Sequence, residues 1–212
     1  NFAKPGKTLV GSDSHTPTCG AMGMIAIGAG GLDVAVAMAT GTYYLQCPSV
    51  VRVNLVGKKA KWASAKDVIL YILQQLSVKG GVNKIIEYTG EGLKELSLTD
   101  RATICNMGAE LGATTSVFPT DEITKEYLIQ QGREEDYVEL KADVDATYDE
   151  EITVDLSKLV PLTAKPHSPD AVVPVSELRG MKINQVVIGS CTNSSLPDML
   201  KAAKILKGRR VA

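Results

Sequence analysis

The stretch VVRVNLVGKKAKWASAKDVILYILQQLSVKGG, residues 50–81, decides the fold class. It opens with alternating side chains, at the period of two that is typical of a β-strand. Ser64 and Asp67 are spaced as in a capping box, and the apolar residues that follow recur at helical spacing. Gly80 and Gly81 end this pattern. The stretch therefore predicts a strand–turn–helix unit.

The same alternation of strands and helices continues on both sides of this unit and favours an α/β architecture. Further strands are predicted at residues 8–10, 85–88, 114–118, 152–156 and 183–188, and further helices at 22–40, 97–111, 123–131 and 198–206. The strongly acidic stretch 132–151 predicts a solvated linker or excursion. The stretch 161–174, which contains four prolines, predicts an extended interdomain connection.

The composition narrows the function classes. With a net charge of −1, the chain offers no electrostatic footprint for nucleic acid or an anionic membrane. It has no run of about 18 apolar residues, so no transmembrane helix is expected. Four widely spaced cysteines without a CxxC pair favour a reduced, cytoplasmic setting over a secreted one.

Asp13, Ser14 and His15 follow the first predicted strand, where α/β proteins bind their ligands. A carboxylate, a hydroxyl and an imidazole in one loop can bind a hydroxy acid and relay protons. A hydrolytic Ser/His/Asp triad is disfavoured, because adjacent residues do not align as nucleophile, base and orienting group. The alternative interpretation is that these side chains only cap a turn.

Two further sites stand out. Asn106 and Glu110 are four residues apart on a predicted helix, which places them on one face to orient a ligand or a histidine; a solvent-facing polar stripe is the alternative. Cys191 lies in a predicted strand-to-helix turn, where backbone N–H groups and the helix dipole favour a thiolate. Packing as a small buried residue is the alternative there, and it is the interpretation favoured for Cys19, Cys47 and Cys105.

Three segments together resemble the aconitase family. They are GSDSHTPTCGAMGMIAIGAGGLDVAVAMATG at 11–41, ATICNMGAELGATTSVFP at 102–119 and VVIGSCTNSSLPDM at 186–199. They follow the family's order and span most of the chain. The second is closer to aconitase itself than to the isopropylmalate isomerase branch.

The resemblance implies three-layer α/β/α domains of the aconitase type in a chain truncated at both ends. Residues 1–48 would be the C-terminal part of the first domain, 49–160 the complete second domain, and 161–212 a linker with the start of the third. The expected reaction is a stereospecific dehydration and rehydration of citrate to isocitrate through cis-aconitate. A 3-isopropylmalate dehydratase large subunit or a homoaconitase is the alternative.

The resemblance also implies the roles of individual residues. Asp13, Ser14 and His15 match the substrate-binding loop, and Asp13 and His15 would also be catalytic. Glu110 would be catalytic by holding and polarising the imidazole of His15. Asn106 would bind substrate near the open iron of a [4Fe-4S] cluster, which acts as a Lewis acid.

Cys191 matches the first of three cysteines that hold this cluster in the family. The other two belong to a CGPC-like segment that this sequence lacks. The expected partners are a small tri- or dicarboxylate substrate and either the missing C-terminal domains or a separate small subunit; no nucleic acid or membrane partner is expected. A noncatalytic RNA-binding module is a further alternative, but the chain lacks the basic surplus that it needs.

Overall fold

A computed structural model describes residues 2–210 of the chain. Its strands are β1 (Thr8–Gly11), β2 (Ile25–Gly28), β3 (Ser49–Val56), β4 (Lys84–Thr89), β5 (Thr115–Val117), β6 (Glu150–Asp155), β7 (Leu162–Ala164) and β8 (Val172–Pro174). Its α-helices are α1 (Gly31–Thr40), α2 (Ala65–Leu76), α3 (Leu98–Met107), α4 (Glu122–Gln130) and α5 (Leu196–Leu206). The predicted α/β class is confirmed.

A four-stranded parallel sheet in the order β5-β4-β3-β6 forms the centre of the molecule. The alternation in β3 buries Val51, Val53 and Leu55 completely. Their side chains join the core that α2 and α3 cover, in which the rings of Tyr88 and Phe118 stack 4.4 Å apart. The period-two pattern of the opening stretch therefore predicted strand β3 of this sheet correctly.

Helix α2 begins where the capping box predicts. The carboxylate of Asp67 accepts hydrogen bonds from the backbone N–H and the hydroxyl of Ser64, both at 2.7 Å. The other oxygen of Asp67 accepts the backbone N–H of Leu162 at 2.6 Å. One buried carboxylate thus both caps the helix and anchors the chain beyond β6.

The proline-containing stretch 161–174 departs from the predicted open connection. It folds into an antiparallel hairpin of β7 and β8 that packs against α2. The side chain of Gln74 donates to the carbonyl of Val172 at 3.0 Å, which ties the hairpin to the helix. Prolines permit this arrangement because the hairpin is short and lies outside the central sheet.

The small-residue stretch 22–40 is not the single, tightly packed helix that was predicted. Gly23 adopts a left-handed conformation with φ 71°, and the chain then forms strand β2, which runs parallel to β1. Helix α1 starts only at Gly31, and none of its residues is buried. A four-residue strand between glycines is too short to show a periodic signal.

The acidic stretch 132–151 is more than a solvated linker. Arg133 donates to the carbonyl of Ala3 at 2.7 Å, and Leu140 forms a backbone bridge with Thr120. The stretch therefore straps the N-terminal segment to the chain after β5, before it enters β6. The high charge density of the stretch does not predict these contacts, because backbone groups and one arginine make them.

The predicted strand at 183–188 does not form. Val186 and Val187 in this segment are 68% and 82% exposed, and no strand pairs with them in the described residues. Helix α5 does form, two residues earlier than predicted. The domain boundaries at 48/49 and 160/161 remain predictions. None of the helices described between residues 2 and 210 is long and apolar enough to cross a membrane.

Candidate active site

The loop Asp13–His15 follows the carboxyl end of β1, as the sequence predicts. Its shape is fixed locally, because Asp13 Oδ1 accepts the backbone N–H of His15 at 2.8 Å and Asp13 O accepts the hydroxyl of Thr16 at 2.6 Å. Gly28 at the end of β2 lies directly beneath the loop. A Cβ atom there would meet Asp13 O at 2.9 Å. The absence of a side chain at Gly28 therefore lets the loop lie against the strand.

The three polar side chains of the loop stand close together. The hydroxyl of Ser14 lies 3.2 Å from His15 Nδ1, and Asp13 Oδ1 lies 3.7 Å from the same nitrogen. A hydrolytic triad needs the nucleophile and the orienting carboxylate on opposite ring nitrogens. Here both contact Nδ1, which agrees with the rejection of a triad and leaves Nε2 outside these contacts.

Asn106 lies near the end of α3 and is only 1% exposed. Its Nδ2 donates to the hydroxyl of Thr18 at 2.9 Å, and that hydroxyl donates to the carbonyl of His15 at 2.7 Å. A solvent-facing polar stripe is thereby excluded for Asn106. The structure instead connects Asn106 with the loop through Thr18, which the sequence analysis did not single out.

Glu110 lies beyond the end of α3. The α-helix stops at Met107, and a 3₁₀ turn, Gly108–Leu111, changes the direction in which the following side chains point. Glu110 is half-buried, and the hydrogen bonds and ion pairs of the described residues include none between it and His15. The expected pair thus stays a prediction. The face shared by Asn106 and Glu110 does not follow from α-helical spacing.

A cleft of about 490 Å³ joins these elements. Ser14 lines one side of it, and Ala109, next to Glu110, lines another. The remaining wall includes Tyr43 and Tyr44. The structure therefore brings the 13–15 loop and the 108–111 turn to one cavity of a size suited to a small organic acid.

Cys191 is exposed in the loop before α5. It lines a hollow of about 310 Å³ together with Thr99 and Thr103 of α3. These threonines lie on the same helical face as Asn106, at spacings of seven and three residues. Cys191 is thus at one end of a face whose other end is connected with the 13–15 loop through Thr18.

The predicted helix-dipole contribution at Cys191 is wrong. The N-cap of α5 is Ser195, four residues further along the chain, and the dipole acts within the first turn of a helix. Within residues 2–210, no three His, Cys, Asp or Glu side chains are grouped to hold a metal ion. An accessible thiol in a hollow fits one ligand position of an iron–sulfur cluster, and the role of Cys191 as such a ligand stays a prediction.

The other three cysteines differ in their surroundings. Cys105 is fully buried, its thiol lies 3.7 Å from the carbonyl of Ser116, and burial raises its pKa well above the ordinary value. Burial also raises the pKa of Cys19, which is half-buried. Both are packed residues, as expected. Cys47 is exposed, so the expectation that it packs is wrong.

These observations define a class of protein. It is an α/β protein with a polar loop after a short parallel strand, a buried amide opposite that loop and a small cleft. The chain matches the aconitase family (aconitate hydratase) over residues 1–180. It belongs to this family, and the resemblance to the aconitase family is confirmed.

Several curated relatives are similar over nearly the whole chain. Similar proteins include 3-isopropylmalate dehydratase large subunit 2 of Archaeoglobus fulgidus, 46% identical over 99% of the chain and 50% of that protein. The large subunit from Caldicellulosiruptor saccharolyticus is 47% identical over 98% of the chain and 48% of that protein. Mitochondrial aconitate hydratase of Schizosaccharomyces pombe is 45% identical over 97% of the chain and 28% of that protein.

The chain spans about half the length of the dehydratase large subunits that it matches. These relatives favour the 3-isopropylmalate alternative over the citrate interpretation that was drawn from the second segment.

Proposed function

We propose that this chain is part of a hydro-lyase that isomerises 3-isopropylmalate by dehydration and rehydration. The observation that carries the proposal is the connection of His15 and Asn106 through Thr18, beside a cleft that Ser14 lines. Such a site places the Ser14 hydroxyl on a space that fits a small hydroxy acid, with the His15 ring beside Ser14 and the Asn106 amide behind the loop. The dehydratase relatives support the choice of substrate.

The side chains of the loop would bind and orient the acid. The Ser14 hydroxyl can donate to a substrate carboxylate, while the exposed carboxylate of Asp13 can accept from a substrate hydroxyl or hold a partner histidine. With Nδ1 of His15 facing Ser14, Nε2 is the nitrogen that can exchange a proton with the leaving or attacking hydroxyl. Glu110, on the turn that borders the same cleft, would polarise this ring once the two approach.

Cys191 would supply one thiolate to a [4Fe-4S] cluster, and Asn106 would face the iron that has no cysteine ligand. When bound, the cluster supplies a Lewis acid for the substrate hydroxyl. The remaining two thiolates and the groups that hold the distal carboxylate would come from further domains. A separate small subunit is the expected partner in the dehydratase case.

Aconitate hydratase is the second candidate. The Schizosaccharomyces pombe enzyme is 45% identical to the chain, nearly as similar as the dehydratase large subunits. In this case citrate and isocitrate would be the substrates, and the chemistry of the 13–15 loop would be unchanged.

The complete gene product, reconstituted with iron and sulfide under anaerobic conditions and combined with its small subunit where that is separate, tests the proposal. Turnover is followed by the ultraviolet absorbance of the unsaturated acid. We expect kcat/KM for 3-isopropylmalate to exceed that for citrate by about tenfold or more. Preference for citrate would establish the second candidate, and no turnover of either acid would contradict both.

His15→Gln in the same protein tests the assignment of the loop. Loss of the proton-transferring ring should lower kcat by about 100-fold. His167→Gln is the matched control, because His167 is the other histidine of this sequence and is exposed in the loop between β7 and β8. Equal activity of the two variants would exclude a catalytic role for His15.

A further inference from the structure

Thr18 connects His15 with Asn106 in the proposed site but has no role of its own in the proposed reaction. It lies in the 3₁₀ turn Thr16–Met22, between the 13–15 loop and α3. Its hydroxyl donates to the carbonyl of His15 at 2.7 Å and accepts from Nδ2 of Asn106 at 2.9 Å. Thr18 is thus in direct hydrogen-bond contact with both candidate site residues.

The direction of these hydrogen bonds fixes the orientation of the Asn106 amide. A hydroxyl has one hydrogen, and Thr18 donates it to the carbonyl of His15, so only its lone pairs face Asn106. Asn106 must therefore present its NH₂ group to Thr18. A flipped amide would place two acceptors against each other.

The same geometry leaves the carbonyl oxygen of Asn106 without a partner in the fold. Oδ1 is buried and has no hydrogen-bond partner among residues 2–210. A buried acceptor without a partner is destabilising, and a donor that reaches it from outside the fold would remove that cost. The oxygen fits a donor such as a water or hydroxyl group at the site.

The backbone around Thr18 is held firmly. Two residues later, Gly20 packs so closely on β5 that a Cβ atom would clash with the carbonyl oxygen of Ser116. The carbonyl of Gly20 also accepts the N–H of Phe118 at 3.0 Å. Because this turn is clamped against the central sheet, Thr18 is a fixed reference point for the two side chains that it contacts.

We propose that Thr18 is a positioning residue, whose hydroxyl locks Asn106 with its carbonyl oxygen towards the reacting ligand and holds the backbone of His15 at the same time. This inference rests on the proposed function. Its geometric part, the orientation of the amide, can be measured without turnover.

The test uses Thr18→Val and Thr18→Ser in the complete, reconstituted enzyme. Valine keeps the shape and removes the hydroxyl, whereas serine keeps the hydroxyl. We expect T18V to lower kcat by about 10- to 100-fold with KM changed by less than about threefold, and T18S to recover to within about threefold of wild type. Thr40→Val is the control, because the exposed Thr40 hydroxyl bonds only within and just after α1.

A second measurement uses the cluster-free protein with ¹⁵N-labelled asparagine. The side-chain NH₂ signals of Asn106 are assigned by their loss in Asn106→Asp. We expect them to exchange slowly with solvent in wild type and T18S and rapidly in T18V. Slow exchange in T18V would overturn the proposal, because the amide would then be held by other groups.

Each kinetic outcome also either supports or overturns the proposal. Unchanged kcat in T18V overturns the proposal, as does a loss that T18S fails to restore, since the methyl group would then be the cause. If T18V does not fold, Thr18→Ala replaces it, and equal activity of T18A and T18S overturns the proposal. Inactivity of the wild type towards every acid contradicts the proposed function instead and leaves the exchange measurement to judge Thr18.

Discussion

Close backbone approach, more than charge, shapes the candidate site at the level of single residues. The loop 13–15 rests on Gly28, and the turn after it rests on β5 through Gly20. Each glycine permits a distance that no other residue would allow. The polar side chains above them consequently have fixed positions without an extensive ion-pair network.

Gly28→Ala should displace this loop. The new Cβ would lie 2.9 Å from Asp13 O and 3.1 Å from Ser14 Cα, and both belong to the backbone and cannot rotate away. We expect kcat/KM of the complete enzyme to fall at least about tenfold, since displacements of about 1 Å at a site can cost about 100-fold. The measurement is the rate of formation of the unsaturated acid.

Gly31→Ala is the control for this change. Gly31 begins α1 and has nothing within 4 Å of the position of a Cβ atom. Alanine there should leave activity unchanged and stabilise the helix by up to about 1 kcal/mol. If G28A retained the activity of G31A, the loop would not be part of the working site.

The sequence predicted which residues are polar candidates but not how they are connected. Asp13, Ser14 and His15 could be found because they follow a strand directly. The link through Thr18 depends on α3 and the 3₁₀ turn meeting in space, and no local pattern reports such a contact. Glu110 was assigned to an α-helix but lies in a 3₁₀ turn, because a change from α- to 3₁₀-helix leaves little trace in the sequence.

At the level of elements, α3 and α4 are joined by an ion pair whose arginine is buried and whose aspartate is partly exposed. Arg101 on α3 is fully buried and donates two hydrogen bonds to Asp121, at 2.9 and 2.6 Å. Asp121 is also the N-cap of α4, where it accepts the N–H of Thr124 at 3.2 Å. The guanidinium lies 5.6 Å from the centre of the Phe118 ring. This ion pair therefore fixes the N-terminus of α4 relative to the core.

Asp121→Asn should destabilise the fold in a pH-dependent way. Burial by itself raises the pKa of Asp121, but the hydrogen bonds and charge of Arg101 and the bonds from Thr124 outweigh it, so the pKa lies below the ordinary value. A lowered pKa gives stability that is present above the unfolded-state value of about 3.9 and is lost as the pH falls through the folded-state value.

We expect D121N to lower the free energy of unfolding at pH 7 by about 2 kcal/mol, below the ~3–5 kcal/mol of a fully buried pair because Asp121 is partly exposed. The difference should shrink below about pH 4, where the wild type also loses its carboxylate. Urea unfolding at several pH values measures it. Glu139→Gln, which removes an exposed pair with Lys141, should change stability by less than about 0.5 kcal/mol. A difference between D121N and wild type that is independent of pH would contradict this account.

Elements were predictable where one local rule dominates. Strand β3 followed from alternation, and the start of α2 followed from Ser64 and Asp67. Strand β2 was missed because it spans four residues between glycines. The apolar segment 183–188 has the composition of a strand, but a strand also needs a neighbour to pair with, which composition does not provide.

At the level of the whole molecule, burial is concentrated in the unit around the central sheet. Helices α1 and α5 contain no buried residue, and their exposed side chains include Leu32, Met38, Leu196 and Leu200. Exposed apolar faces of this kind commonly mark interaction surfaces. They agree with the proposal that further domains or a small subunit complete the enzyme, which the relatives' greater length also supports.

Cys191 is the one residue of this sequence that matches a cluster cysteine of the family, and this limits the cluster that the chain can hold. A [4Fe-4S] cluster needs several thiolates, and the family pattern provides three, of which residues 1–212 contain one match. Cys105 cannot substitute, because it is fully buried and its pKa is raised, and a deprotonated thiol is the form that binds metal.

We therefore expect the isolated chain to retain well under one equivalent of cluster after anaerobic reconstitution, as judged by iron and sulfide analysis. Cys191→Ser should not change that residual iron, whereas in the complete gene product the same substitution should abolish cluster binding. Stoichiometric loading of the isolated chain would show that its own residues form a complete site, and would require ligands other than those that the family pattern assigns.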